Sequence, residues 1–257
     1  VASHQPANVV ILGCGRSGTS IFGELFETLP GYRYWSERYL ADVDSSGGSA
    51  IALKVPRTTP GTAPPEGLSV ELPELWAAVP APRVVFWQVR HPLDAICSLR
   101  VGIDAGWNHH PRPADWQDWA ERPLVERCAH HWATINGPGY DAVRDLAVLN
   151  RFEEMLADPW ACARRTAATV GLDPDDPAVV EASAAWADRV QDTNNAKFVE
   201  AVTSRPLSRP DHRYRVGRWR ENLTPHDIAA VQRIVATTAG TFGYDSTPLV
   251  NTKKFGV

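Results

Sequence analysis

The chain has 257 residues, 44% of them hydrophobic, which is enough for one sizeable core, and its net charge of −4 gives no bulk attraction to nucleic acid. Cys14, Cys97, Cys128 and Cys162 form no C-x-x-C pair, and the neighbours His109-His110 and His130-His131 do not share a helix face, so neither a disulfide framework nor a metal site is expected. No apolar run approaches the ~20 residues that cross a bilayer, and VASHQPAN is no leader, so a cytoplasmic protein with free thiols is expected.

Asn8–Leu12, NVVIL, is a continuous apolar run, the mark of a buried parallel strand. A glycine-rich turn follows, then a helix expected over Ser20–Leu29 and stopped by Pro30-Gly31. YRYW reads as a short strand, Ala41–Ser49 as an acidic loop, and Ala50–Val55, AIALKV, as the next strand. Pro56–Gly67 is proline-rich and irregular. A helix is expected over Val70–Val79, where Pro73 is tolerated near the start. Arg83–Val89, RVVFWQV, is the strongest strand signal, and Pro92 opens a helix through Val101. Asp104–Arg122 has no clear period and reads as a loop or cap. Helices at Leu124–Ile135 and Tyr140–Asp145 and a last strand at Leu146–Asn150 complete the sheet region. The rest reads as helical: Pro159–Val170, Pro177–Val202 and Pro225–Phe242, the last two joined by the basic loop SRPLSRPDHRYRVGRWREN. This alternation predicts a three-layer α/β/α fold around a mostly parallel sheet, with a helical C-terminal portion. Ligands in such sheets sit at the carboxyl ends of the strands. No repeat is visible, so residues 1–257 are expected to form a single domain, with a Trp/Pro/His-rich insertion around 104–135.

The turn GCGRSGTS, Gly13–Ser20, admits three ligands. Gly13, Gly15 and Gly18 fit the dinucleotide fingerprint, and Glu37 stands 19 residues after Gly18, where a ribose-binding acid belongs. An NAD(P)-dependent oxidoreductase would follow. The stretch also nearly fits the loop of a kinase, but Thr19 replaces the lysine that bridges β- and γ-phosphates. The third possibility uses what is present. Backbone N–H groups of Gly15–Ser20, the hydroxyls of Ser17, Thr19 and Ser20, and the permanent charge of Arg16 hold an oxyanion without a metal. A plain structural turn has the same pattern.

The second motif, VRHPLDAICSL, puts Arg90 at a strand's end and Ser98 eight residues later, on the sheet edge that carries the opening loop. Alone, Arg90 reads equally well as an ion-pair partner of Asp94, and Ser98 as a small helix residue. Together the two motifs resemble sulfotransferases that use 3′-phosphoadenosine 5′-phosphosulfate (PAPS) and release 3′-phosphoadenosine 5′-phosphate (PAP). RHPLDAICS is close to that family's R-[DNH]-P-x-D-x-x-x-S form. LNRFEEMLADPWACARRTAATVGL is similar to the family's stretch after the last core strand, and RYRVGRWRENLT to its C-terminal R-x-G-x-W segment. The resemblance spans about Val9 to Thr224. It implies a P-loop-like fold of the bacterial type, with Gly15, Arg16, Ser17, Gly18, Thr19 and Ser20 on the 5′-phosphosulfate. It implies Arg90 and Ser98 on the 3′-phosphate, aided by Arg213, Arg215 and Gly217 in the segment that closes over the nucleotide. No metal is required, because the moving SO3 unit carries less charge than a phosphoryl group.

Arg16, the loop amides and Lys54, at the end of IALKV, are the groups that would stabilise the departing phosphate. Lys54 also reads as a solvated strand-end lysine. Animal cytosolic members carry a histidine two residues after such a lysine, where this chain has Pro56. Other branches, bacterial sugar sulfotransferases among them, use a glutamate soon after the first helix, and Glu37 matches that place. Partial burial is expected to raise its pKa toward a better base. The alternative is a surface acid paired with Arg33 or Arg38. Histidines 109, 110, 130 and 131 are the next candidates for the base. Trp107, His109, His110 and Trp132 are the expected acceptor-binding residues, with Asn194 from QDTNNAKF; the tryptophans read equally well as core. The preferred acceptor is a hydroxyl, before an amine, of a small sugar-containing metabolite or natural product. Neither nucleic acid nor membrane is an expected partner, and a homodimer is compatible with the sequence. The Ala- and Arg-rich composition is compatible with a GC-rich bacterium. A non-catalytic phosphonucleotide-binding module remains the alternative outside enzymes.

Overall fold

The structure is a computed structural model that describes residues 5–44, 46–100, 102–103, 107, 109–191 and 216–244. Five parallel strands, in the order β2-β3-β1-β4-β5, form its sheet. They are β1 (Asn8–Gly13), β2 (Tyr32–Ser36), β3 (Ala50–Lys54), β4 (Arg83–Val89) and β5 (Ala147–Arg151). Successive residues of β1 face opposite sides, as a period of two requires. Val9 and Ile11 enter one apolar cluster, and Val10 and Leu12 enter the other. Both faces must therefore be covered, which explains the unbroken apolar run of this central strand.

One face is covered by α1 (Thr19–Gly23), α2 (Leu25–Thr28), α7 (Phe152–Ala157), α8 (Pro159–Thr169) and α9 (Pro177–Gln191). Phe22 and Phe26 meet Phe86 there at ring-centroid distances of 5.1 and 6.4 Å. Each of these buried rings contributes about 1.5–3 kcal/mol. The other face is covered by α3 (Leu72–Ala78), α4 (Pro92–Leu99), α6 (Leu124–Thr134) and the last helix, Pro225–Thr241. Three short pieces lie between these: α5 (Trp116–Trp119), a π-helical turn Ile135–Gly139, and α10 (Trp219–Asn222), so the last helix is α11. A capping box starts α11, in which Thr224 and Asp227 satisfy each other's backbone N–H groups.

Three expectations differ from the fold. The helix expected over Ser20–Leu29 is interrupted at Glu24, beside Gly23, a poor helix former. The helix expected over Tyr140–Asp145 is cut short: the π-helical turn, with Pro138 inside it, runs on as helix only through Asp141 and then gives way to turns. Helix α7, only six residues long, has too few residues for periodicity to reveal it. Of the helix expected over Pro177–Val202, the part to Gln191 forms as α9, and the remainder lies outside the described residues.

Candidate active site

The carboxyl ends of β1 to β5 lie along one edge of the sheet, with β3 and β4 on either side of β1. The chain leaves β1 through Gly13–Gly18 and enters α1. Gly18 has φ 91°, and a Cβ there would strike the ring of Phe152, so only glycine fits. Arg16, Glu37 and Val55 have φ of 66°, 55° and 42°, in the left-handed region that costs a non-glycine residue about 1–3 kcal/mol. All three line one pocket of about 200 Å³, together with Gly15, Thr19, Ser20, Lys54, Arg57, His109 and His110. The fourth described residue of this kind, Trp107 with φ 47°, lies in the core; three strained residues at one concavity are typical of a functional site.

Lys54 is 3% exposed, not solvated, and its Nζ donates to Ser20 Oγ at 3.0 Å and to Glu37 Oε1 at 2.5 Å. Arg57 Nη2 donates to the other oxygen, Oε2, at 3.0 Å. Arg33 pairs with Asp44 instead. Burial alone would lift the Glu37 carboxyl, but Lys54 and then Arg57 outweigh it and hold the pKa below its ordinary value. The expected rise toward a stronger base is therefore corrected: two cations stabilise the charged form. Ser17 Oγ is buried and, among the described residues, has no hydrogen-bond partner. An oxyanion in the loop is the partner this donor suits.

A second group of cations, Arg90 after β4 and Arg218 before α10, lies beside the loop. Arg90 follows β4, is 1% exposed, donates from Nη1 to the Arg16 carbonyl at 3.1 Å and lies 4.4 Å from the Phe152 ring centroid. Phe152 thus fills the space between Gly18 and Arg90. Its neighbour Glu153 accepts from His91 N at 2.8 Å and from the Tyr244 hydroxyl at 2.9 Å. Those two contacts explain the aromatic–acid pair after β5. Ser98, fully buried, accepts from Arg218 Nη1 at 3.5 Å. Burial and then Arg90 lower the Arg218 pKa to about 10. Burial and then Arg90 also lower that of Arg16. Crowded guanidinia of this kind are relieved by an anion.

Asp94 does not serve as a simple ion-pair partner. It accepts from Gly217 N at 2.6 Å and Trp219 N at 3.1 Å, and so ties the C-terminal segment to α4. The sequence reading missed Arg218 and this tether. Arg218 stands one residue from Gly217 within the quoted RVGRW, but nothing in the pattern distinguishes it from its neighbours. Arg213, Arg215 and Asn194 lie outside the described residues.

The acceptor candidates separate. His109 and His110 line the pocket, whereas Trp107 and Trp132 are fully buried core residues. Trp132 Nε1 donates to the Arg90 carbonyl at 3.2 Å, and Trp107 Nε1 to His131 Nδ1 at 3.3 Å. His130 is engaged with Asp115 at 2.7 Å. Burial, then Arg16, lowers the His109 pKa to about 4; burial, then His109, lowers that of fully buried His131. Both stay neutral in the folded protein while the unfolded chain takes protons below pH ~6.5. Stability is therefore full above that pH and is lost as the pH falls. His109 alone removes about 2 kcal/mol by pH 5. The urea midpoint is expected to fall between pH 7.5 and pH 5, and an unchanged midpoint would contradict both assignments.

Among the described residues, no group of three His, Cys, Asp or Glu side chains is placed to hold a metal ion. Nor is any helix among them long and apolar enough to cross a membrane. No family model matches the chain, and no curated protein matches it. Among solved structures, the mouse sulfotransferase SULT7A1 complexed with PAP superposes with a TM-score of 0.56 at 14% identity, covering 93% of this chain and 85% of that one. The chain, a parallel five-stranded sheet covered by helices on both faces, thus has the fold of a sulfotransferase.

Proposed function

We propose that the protein is a PAPS-dependent sulfotransferase that sulfates a hydroxyl of a small molecule, with Glu37 as general base. One observation carries this: two cation clusters share one sheet edge and touch through the Arg90–Arg16 hydrogen bond. PAPS supplies an SO3 unit on a phosphate leaving group. Arg16, Ser17 and the loop amides hold the 5′ end, and Arg90, Ser98 and Arg218 hold the 3′-phosphate. Lys54, poised between Ser20 and Glu37, stabilises the charge that grows on the departing oxygen. The acceptor oxygen forms its bond to sulfur as the sulfur–oxygen bond to phosphate breaks, and Glu37 takes the acceptor proton. The acceptor is a metabolite or natural product with sugar-like hydroxyls, modified in the cytoplasm.

Labelled PAPS turned over against an acceptor panel tests the reaction. Thermal shifts with PAP, NAD and ATP-magnesium separate it from an oxidoreductase and a kinase; a shift with NAD or ATP but none with PAP would sink it. Arg90→Ala and Arg218→Ala are each expected to weaken PAP about tenfold, the worth of a charge-assisted hydrogen bond. Unaltered calorimetric affinity in both would remove the second anion site.

A further inference from the structure

A second cavity, of about 470 Å³, adjoins the reaction pocket and shares Arg57, Ser69 and His110 with it. Its walls come from the proline-rich loop after β3 and from the segment His110–Ala114. The loop is seated by a backbone-on-backbone contact: a Cβ on Gly67 would lie 2.6 Å from Gly139 N and from Thr134 O. Glu66 Oε1 accepts from Ala114 N at 3.0 Å and joins the two walls. Thr58 and Thr59 both donate to Glu74. Prolines 60, 64, 65 and 111 with Tyr39 make a rigid, half-apolar surface that suits a ring.

Arg112 is the exception to this internal pairing. Its Nε donates to the Trp107 carbonyl at 2.8 Å, and its guanidinium lies 4.8 Å from the Trp116 ring centroid. These contacts set the plane of the fork in advance. Among the described residues, no acceptor takes a hydrogen bond from its two terminal nitrogens. Arg57 adds a second guanidinium on the side nearer Glu37. Burial, then Arg112 and Arg57, push the His110 pKa down, as a positive local field does.

We propose that this cavity is the acceptor subsite and that it selects acceptors carrying an oxyanion — a carboxylate, phosphate or sulfate — which Arg112 receives while the nucleophilic hydroxyl lies at Glu37. The assignment as an acceptor subsite rests on the sulfuryl-transfer reading; the anion preference of the cavity does not.

Matched pairs test it: glucuronate against glucose, glucose 6-phosphate against glucose, and 4-hydroxybenzoate against 4-hydroxybenzyl alcohol. Each is titrated calorimetrically into the 257-residue chain, with and without saturating PAP. In at least one pair the anionic member is expected to bind about tenfold more tightly. The preference should vanish in Arg112→Ala and persist in part in Arg112→Lys, with PAP affinity unchanged in both. Absence of any preference, or a preference that survives in Arg112→Ala, would overturn the proposal. Failure of PAP to bind would instead overturn the sulfuryl-transfer reading, and the titrations without PAP would still report on the cavity.

Discussion

Glu37→Gln is expected to lower turnover about 100-fold while leaving PAP affinity unchanged or slightly stronger. Among the described residues lining the pocket, this carboxylate is the one acid, held by Lys54 at 2.5 Å and Arg57 at 3.0 Å, and its side chain is 46% exposed. Its depressed pKa keeps it charged through the neutral range. Activity limited by this group should hold on a plateau and fall only when the pH drops below the ordinary carboxylate range. A glutamine keeps the shape, and its one carbonyl oxygen can accept from Lys54 or from Arg57 but not from both; it cannot take a proton. Removing the negative charge also leaves Lys54 more available to an anion, hence affinity at least as strong. Single-turnover rates with labelled PAPS and calorimetry with PAP measure the two quantities separately. A variant that turns over normally would move the base to His109 or His110, the pocket's histidines.

Asp94→Ala is expected to cost about 3 kcal/mol of stability and to weaken PAP as well. The side chain is 1% exposed and accepts from two backbone N–H groups of another segment. It also offsets the charge of Arg90. Alanine would leave two backbone donors, the buried Trp219 N–H and the half-buried Gly217 N–H, without this acceptor, and Arg90 and Arg218 with less countercharge. The residues Gly217–Trp219 would lose their tether, and Arg218 its place beside Ser98. Urea unfolding gives the stability and calorimetry the affinity. Wild-type values in both would show that packing of Trp219 against His91, whose rings stack at 6.3 Å, holds the segment without Asp94.

The burial of the central apolar strand was legible from its residues, because a strand covered on both faces must be apolar at every position, as Val9–Leu12 are. The opening loop and the Arg90–Ser98 spacing were equally legible, since local order along a strand–turn–helix decides which edge of the sheet they occupy. Pairings between distant segments were not legible. Glu37 meets Arg57 rather than its sequence neighbours because parallel pairing of β2 with β3 sets Ser36 beside Lys54. The same register brings Lys54 to Glu37 and reverses the expected direction of its pKa shift. Tryptophans 107 and 132 had two readings because an indole serves a core and a ligand pocket alike; their complete burial in one apolar cluster decided for the core. Arg218 stayed hidden because its partner is 120 residues away and only α4 and the Asp94 tether bring them together. Sequence alone thus determined the layered α/β/α architecture, the glycine loop after β1 and the sheet edge on which that loop and Arg90 lie, all of which follow from local pattern. Only the tertiary structure decided which charges meet there and which pocket lies beside them, since these depend on strand register and on contacts between segments far apart in the chain.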